Sequence, residues 1–482
     1  MSRRNKYLWV GFAGFALVST GISVLLDTFP LLGLALFLTL LFGFVFMSYR
    51  RLNVYHFAPI FAFSLVWFVV DVVPIYYGYL TDSINFFALE AGPDLWLKGL
   101  TIEMVFILFW YLGYFLHNKR ILSFIGRLKV DADKKLDLKT AHILLVVSII
   151  SFLLKVKLGP IGYGAVQAKT LSDWSTKSVT LLHFFSTPAT FFLPSVIIFI
   201  FEVDVNRIFK STLFGLFLLY FLIALLRGTR APLLAPIFML SIYSIIHGFR
   251  LTKSYKYALI GILVVLLSSG ILENYRSSTI RVRNLKELFE VGKEELFSRQ
   301  IDKGVLIQNL DSFVYRLDAV QTGGLFAEYA DSTEKVGLKP YVGLLYLWIP
   351  RYFAPNKPMV GSCDGTPLGE PPFIAAYLRG GFIGNSTSVS PSSIMYWQFG
   401  WLGLTVGGLL CGFLVAVISI LLLRSGLLGK ILFLHFLFLT NGFTVDLCNL
   451  LRWIILYLIP ICIGLRFTYL IRISRKGVFT WS

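Results

Sequence analysis

Residues 396–423 read YWQFGWLGLTVGGLLCGFLVAVISILLL, with no charged side chain anywhere in the run. A bilayer core is crossed by about 20 apolar helical residues, so this stretch is long enough to span. Its Gly content fits a membrane helix better than a soluble one. Working outward, similar runs follow at 429–446 and 450–471. They precede it at about 7–26, 29–48, 54–73, 98–116, 140–157, 179–201, 211–226, 231–247 and 256–272. The sequence therefore predicts an all-α polytopic membrane protein with about 12 transmembrane helices. The first run follows Arg3, Arg4 and Lys6 and is read as a retained anchor, because the next span starts almost at once.

Composition agrees. Apolar residues make up 56% of the 482 and charged residues 15%, against about 45–50% and about 25% in soluble domains. A soluble enzyme, a disordered chain and a secreted disulfide scaffold are all excluded. The net charge of +18 does not indicate nucleic acid, since the basic residues are scattered between apolar runs and not gathered on one face. With the N-terminus in the cytoplasm and twelve spans threaded, the whole excess falls on the cytoplasmic side. It sits mainly in 117–139, 249–256 and the C-terminal end, as the positive-inside rule requires. Both termini are then cytoplasmic. The expected units are 1–272 with nine spans, a periplasmic insert at 273–395, and 396–482 with three spans and a cytoplasmic tail.

Within the insert, Leu306, Leu310, Phe313, Val314 and Leu317 recur at helical spacing among charged residues. That predicts amphipathic helices on the outer membrane surface. The segment 341–350 is too short to span and is read as re-entrant or interfacial. The stretch 351–395 is rich in Pro, Gly and Ser, as functional or disordered loops are.

Arg227-Gly228-Thr229-Arg230 is the sharpest site candidate. Two Arg stand at an outer boundary that the charge rule says should avoid them. Gly228 permits a tight turn, and Ala231-Pro232 suits a helix start. A helix N-terminus and guanidinium forks both suit a phosphate; two snorkelling Arg at a hairpin are the plainer alternative. The Pro-framed run 349–358 (IPRYFAPNKP) presents Arg351 and Lys357. The following run, Gly361 to Gly384, carries Asp364, Glu370 and Arg379 and is read as a cover for a polar substrate or as disorder. Asp71, Glu103, Asp446 and Arg452 are expected near the outer ends of their spans. Ionisable groups in spans are functional hints by default.

Other patterns are empty. The six His form no metal-binding set, so no metal site is expected. Asp131-Ala-Asp133 lies in a basic cytoplasmic loop with no domain around it. Four Cys show no CxxC pattern and are too few for a disulfide framework.

Three pieces of sequence carry a family resemblance. RGTRAPLLAP (227–236), IPRYFAPNKP (349–358) and YWQFGWLG (396–403) stand in the order and spacing found in oligosaccharide repeat-unit polymerases. The chain resembles the Wzy-type O-antigen polymerases over roughly residues 200–420. Many relatives place a Glu just before the Tyr of the last motif, where this chain has Ile394 and Met395. The resemblance implies a glycosyltransferase that polymerises undecaprenyl-pyrophosphate-linked oligosaccharide repeat units at the periplasmic face of the bacterial inner membrane. The lipid-linked oligosaccharide would be both donor and acceptor, within membrane lipid, with no cofactor and no nucleic acid. A chain-length regulator protein is an expected partner. Arg227, Arg230, Arg276, Arg351, Lys357, Arg379 and Arg452 are the candidates to neutralise the departing pyrophosphate. Asp364, Glu370, Glu273 and Asp446 are the candidates to take the acceptor's proton. An O-antigen ligase and a flippase or transporter of lipid-linked glycans are the alternatives.

Overall fold

Every element of the computed structural model is helical among the residues it describes, namely 37–43, 54–80, 93–116, 134–158, 188–226, 230–247, 290, 319–346, 390–439 and 446–461. Helix α1 runs Val54–Trp67, passes through a π-helical turn at Phe68–Val72 and continues as Val73–Leu80. Then come α2 (Pro93–Phe115), α3 (Lys134–Leu158), α4 (Phe192–Phe201), α5 (Arg207–Leu226) and α6 (Arg230–Ile246). The described part of the insert holds α7 (Ala319–Ser332), α8 (Lys339–Leu345) and α9 (Pro391–Phe399). A π-helical turn at Gly403–Gly407 leads into Gly408–Arg424, together α10. Helix α11 is Gly426–Leu439, and α12 is Leu447–Trp453 followed by a π-helical turn at Ile454–Leu458.

Among the described residues, five helical segments are long and apolar enough to cross a membrane: Phe57–Tyr77, Asp94–Phe115, Asp137–Lys157, Arg207–Ala224 and Gly403–Leu423. Shorter apolar helices cover 192–201, 235–246, 426–439 and 447–461. The five fall on the expected spans at 54–73, 98–116, 140–157, 211–226 and 396–423, and the shorter helices occupy parts of those at 179–201, 231–247, 429–446 and 450–471. The expected spans at 7–26 and 256–272 lie outside the described residues, as does most of 29–48.

The core is α2 against α10. Backbones touch there because glycines face each other. A Cβ on Gly113 would fall on the carbonyl of Leu409, and one on Gly412 on the carbonyl of Trp110. Gly408 and Gly412 form the small-xxx-small spacing that lets membrane helices approach closely. Helix α1 packs on the same unit through rings: Trp67 meets Trp110 edge to face at 5.0 Å, and Trp110 stacks on Tyr114 at 5.3 Å. The opposite faces of α3 and α5 expose Ile143, Val146, Ile150, Phe214, Leu218 and Leu222. In a chain of this hydropathy those faces meet lipid.

Helix α7 belongs to the bundle. It lies along the first half of α2, where a Cβ on Gly99 would strike Val320 and one on Gly324 would strike Leu95. Part of the insert is thus packed into the membrane unit. The amphipathic helices expected over 281–318 lie outside the described residues.

Candidate functional site

Polar side chains gather at two opposite ends of the bundle. At one end Glu202 holds two partners on other helices: His247 Nε2 at 2.7 Å and Lys430 Nζ at 2.5 Å. Beside them Asp137 accepts from the Leu427 and Leu428 amides at 2.7 and 3.0 Å, capping α11. Gly426, at φ +82°, turns the chain there and leaves room for that carboxylate. These four segments are the ones that the charge distribution assigns to one side.

The other end is built around α9. Its sequence Ser390-Pro391-Ser392-Ser393 starts a helix for clear reasons. Ser390 accepts from the Ser393 amide at 3.3 Å, and Pro391 sits where a missing N–H costs nothing. The Ser390 hydroxyl lies 2.8 Å from those of Ser392 and Ser393. Ser392 then donates to Glu103 Oε1 at 2.5 Å, and that carboxylate is buried. Gly323 of α7 closes the group: a Cβ there would stand 2.8 Å from Ser393 Oγ and 3.7 Å from Glu103 Oε1. Helix α7 also packs on the π-helical turn that carries buried Asp71. Glu103 stands about 14 Å along α2 from Asp94 at 1.5 Å per residue, in the half of the helix that the sequence expected to be the outer one. The serines of α9 and the close α7 glycines make that position tolerable for a polar group.

Nearer the surface, Asp331 joins three elements. Lys98 Nζ lies at 2.7 Å, Lys335 Nζ at 3.2 Å, and the Tyr396 hydroxyl donates at 2.8 Å. Burial pushes the Asp331 carboxyl up, but the bonds from Lys98, Tyr396 and Lys335 outweigh it and hold it below the usual carboxylate range. The Tyr396 phenol is pushed up to about 12 by burial and by Asp331. Lys335 also lies over the Tyr396 ring, 4.4 Å from its centroid.

At the far end of α9, Gln398 accepts from the Tyr341 hydroxyl at 3.0 Å. Burial, then the nearby Asp446 carboxyl, raise the Tyr341 phenol well above its ordinary value. Asp446 is buried and caps α12, accepting from the Asn449 amide at 3.0 Å and its side-chain Nδ2 at 2.6 Å. Helix α9 therefore bonds one buried carboxylate, Glu103, through Ser392, and through Gln398 it holds Tyr341, whose phenol feels the charge of a second, Asp446.

Of the residues singled out from sequence, Asp446 and Arg452 lie on this side, at the cap and first turns of α12. Arg230 opens α6, one residue before the helix start expected at Ala231-Pro232. Arg227, Arg276, Arg351, Lys357, Arg379, Glu273, Asp364 and Glu370 lie outside the described residues, as does the Pro-framed and Gly-rich loop. Lys98, Asp331, Ser390 and Ser392 escaped the sequence reading, and Tyr396 entered it only as part of the 396–403 motif. The Ser-Pro-Ser-Ser start of α9 was the available signal.

The family model for O-antigen polysaccharide polymerase Wzy matches residues 10–356. The chain belongs to this family. No curated protein and no solved structure matches it. As a Wzy-family chain it is a multi-pass membrane protein, and it acts as an O-antigen repeat-unit polymerase on lipid-linked oligosaccharide units. The family match begins in the first apolar run and ends inside the Pro-framed stretch, so it takes in α1 to α8 and stops short of α9. The resemblance read from 396–403 thus adds a part of the chain that the family model does not cover.

Proposed function

We propose that this Wzy-family chain transfers the growing glycan from undecaprenyl pyrophosphate to a second undecaprenyl-pyrophosphate-linked repeat unit, at the periplasmic face of the inner membrane. The family match carries the reading. The α9 end of the bundle, with its buried carboxylates and with Lys98 and Lys335 near the surface, supports putting the reaction on that side.

In this reaction a sugar hydroxyl of the acceptor attacks the anomeric carbon of the donor. The bond from that carbon to the pyrophosphate oxygen breaks, and the lipid pyrophosphate leaves with the electron pair. The hydroxyl proton passes to a base. The donor bond is already activated, so no nucleotide is required. Charge developing on the pyrophosphate is best met by fixed cations, a role assigned to Arg227 and Arg230, with Arg276, Arg351, Lys357, Arg379 and Arg452 as further candidates. The base is sought among Asp364, Glu370, Glu273 and Asp446. Asp446 has both oxygens engaged as a helix cap, which favours the other three. A chain-length regulator is proposed as a protein partner.

Deleting the gene in its own host tests the reading. A polymerase predicts surface glycan reduced to single repeat units on its anchor. Complete loss of surface glycan would indicate a ligase or a flippase instead.

A further inference from the structure

Helix α8 has two unlike faces. Tyr341 and Leu344 pack on Cys448, Leu451 and Ile455 of α12, which fixes the helix against the first turns of that span. The other face is apolar and open. Leu338, Val342 and Leu345 are 68%, 48% and 78% exposed, and their spacing puts all three on one side of a helix. An apolar stripe left in water is unfavourable, and a contiguous one marks an interaction surface.

Its surroundings identify what covers it. The Gly337 amide bonds to the Gln398 carbonyl at 3.0 Å, and the Val336 amide to that of Trp397 at 3.4 Å. Leu338 is therefore held beside the end of α9, where the chain turns at Gly400 into Trp401 and Leu402. Those two residues are 53% and 65% exposed, and the open row continues down α10 through Val406 and Leu410. Leu402, Val406 and Leu410 are four apart and form one ridge of a helix that is long and apolar enough to span. The bonds to α9 bring the start of the α8 stripe to the point of the chain where this open row begins, and Trp401 there suits an interfacial aromatic. Lys339, exposed at the start of α8, lies at the edge of the stripe with its charge available to lipid phosphate.

We infer that α8 is a monotopic contact with the outer leaflet. Leu338, Val342 and Leu345 enter the acyl region beside α10, while Lys339 stays at headgroup level. The partner is bilayer phospholipid. The contact holds the α7–α9 junction, and with it the Asp331 and Tyr341 bonds, at a fixed height over the membrane. This assignment rests on α10 being a span and does not depend on which glycan reaction the protein performs.

Site-directed spin labelling of the full chain in phosphatidylethanolamine–phosphatidylglycerol vesicles tests it. Labels are placed by Leu338→Cys and Leu345→Cys, with Ser332→Cys as an exposed control on α7 and the unsubstituted chain as background. The expected result is collision with lipid-soluble oxygen several-fold above collision with a water-soluble nickel chelate at 338 and 345, and the reverse at 332. Nickel accessibility at 338 and 345 equal to that at 332 would overturn the assignment. So would strong spin–spin broadening at 345, which would mean that a second copy of the chain covers the stripe. Val342→Cys supplies a third position should either variant fail to accumulate.

Discussion

Asp331 shows how single residues hold the α9 end together. It ties Lys98 of α2, Tyr396 of α9 and Lys335 to one carboxylate, 65 residues from Tyr396 in sequence. Nothing in a linear pattern brings those positions together, and the same holds for Ser392 and Glu103, 289 residues apart. Sequence flags a lone carboxylate in an apolar run, as it did for Glu103 and Asp446, but its partners come from the fold. His435 makes the same point in reverse. It drew no notice as a single His, yet Trp453 donates to its Nδ1 at 3.3 Å and its Nε2 lies 2.8 Å from Thr190 Oγ1. Its ring also stacks on Phe191, so it is a satisfied core residue. The lowered pKa of Asp331 fixes a pH dependence. Its folded value lies below the ordinary 3.8, so the unfolded chain takes up the proton first as pH falls. The stabilisation is complete above about pH 5 and is lost as pH drops through the lowered value. Thermal unfolding of Asp331→Asn against the unsubstituted chain should show a constant deficit from pH 5 to 8 that closes in stronger acid. Because the carboxylate is 41% exposed, screening keeps the deficit small.

Elements were legible where length and hydropathy speak alone. The runs at 54–73, 98–116, 140–157 and 211–226 became α1, α2, α3 and α5, with ends shifted by a few residues. Helix α2 starts earlier than its apolar run because Asp94 and Lys98 occupy its first turns, at the polar boundary, behind Pro93. Helix α7 has no counterpart in the sequence reading, since Gly323-Gly324 and its polar residues leave no long apolar run there. Those glycines are there because backbone meets backbone against α2. The same logic governs α10. Gly412→Leu places a side chain where the Trp110 carbonyl stands, and Gly113→Leu does so at Leu409. Overpacking of this kind costs about 1–3 kcal/mol or more. Each variant should lower the unfolding temperature in detergent and the amount of protein in the membrane, while Gly215→Leu, with open space around it, should leave both unchanged. An unaffected Gly412→Leu protein would mean that α2 and α10 are not in backbone contact.

At the scale of the molecule, the segments that the charge rule puts on one side do meet at one end, through Asp137, Glu202, His247 and Lys430. The polar groups of α2, α7, α8, α9 and α12 meet at the other. The Lys and Arg positions expect such a sorting because a membrane imposes one. The site was less legible: the sequence reading rested it on cations at 227–230 and 351–379, and the packing of α7 and α9 over buried carboxylates is a candidate that no motif announces. The central claim is that this chain joins lipid-linked repeat units by itself, with cations of its own stabilising the leaving pyrophosphate. The most direct measurement is to supply the purified protein in phospholipid vesicles with the host's lipid-linked repeat unit alone, in excess EDTA, and to resolve the products by size. The account predicts a ladder of two or more repeats with release of lipid pyrophosphate, and loss of most of that ladder in Arg230→Lys at normal protein abundance. Repeat units that remain single, or a ladder abolished by EDTA and restored by Mg²⁺, would contradict it.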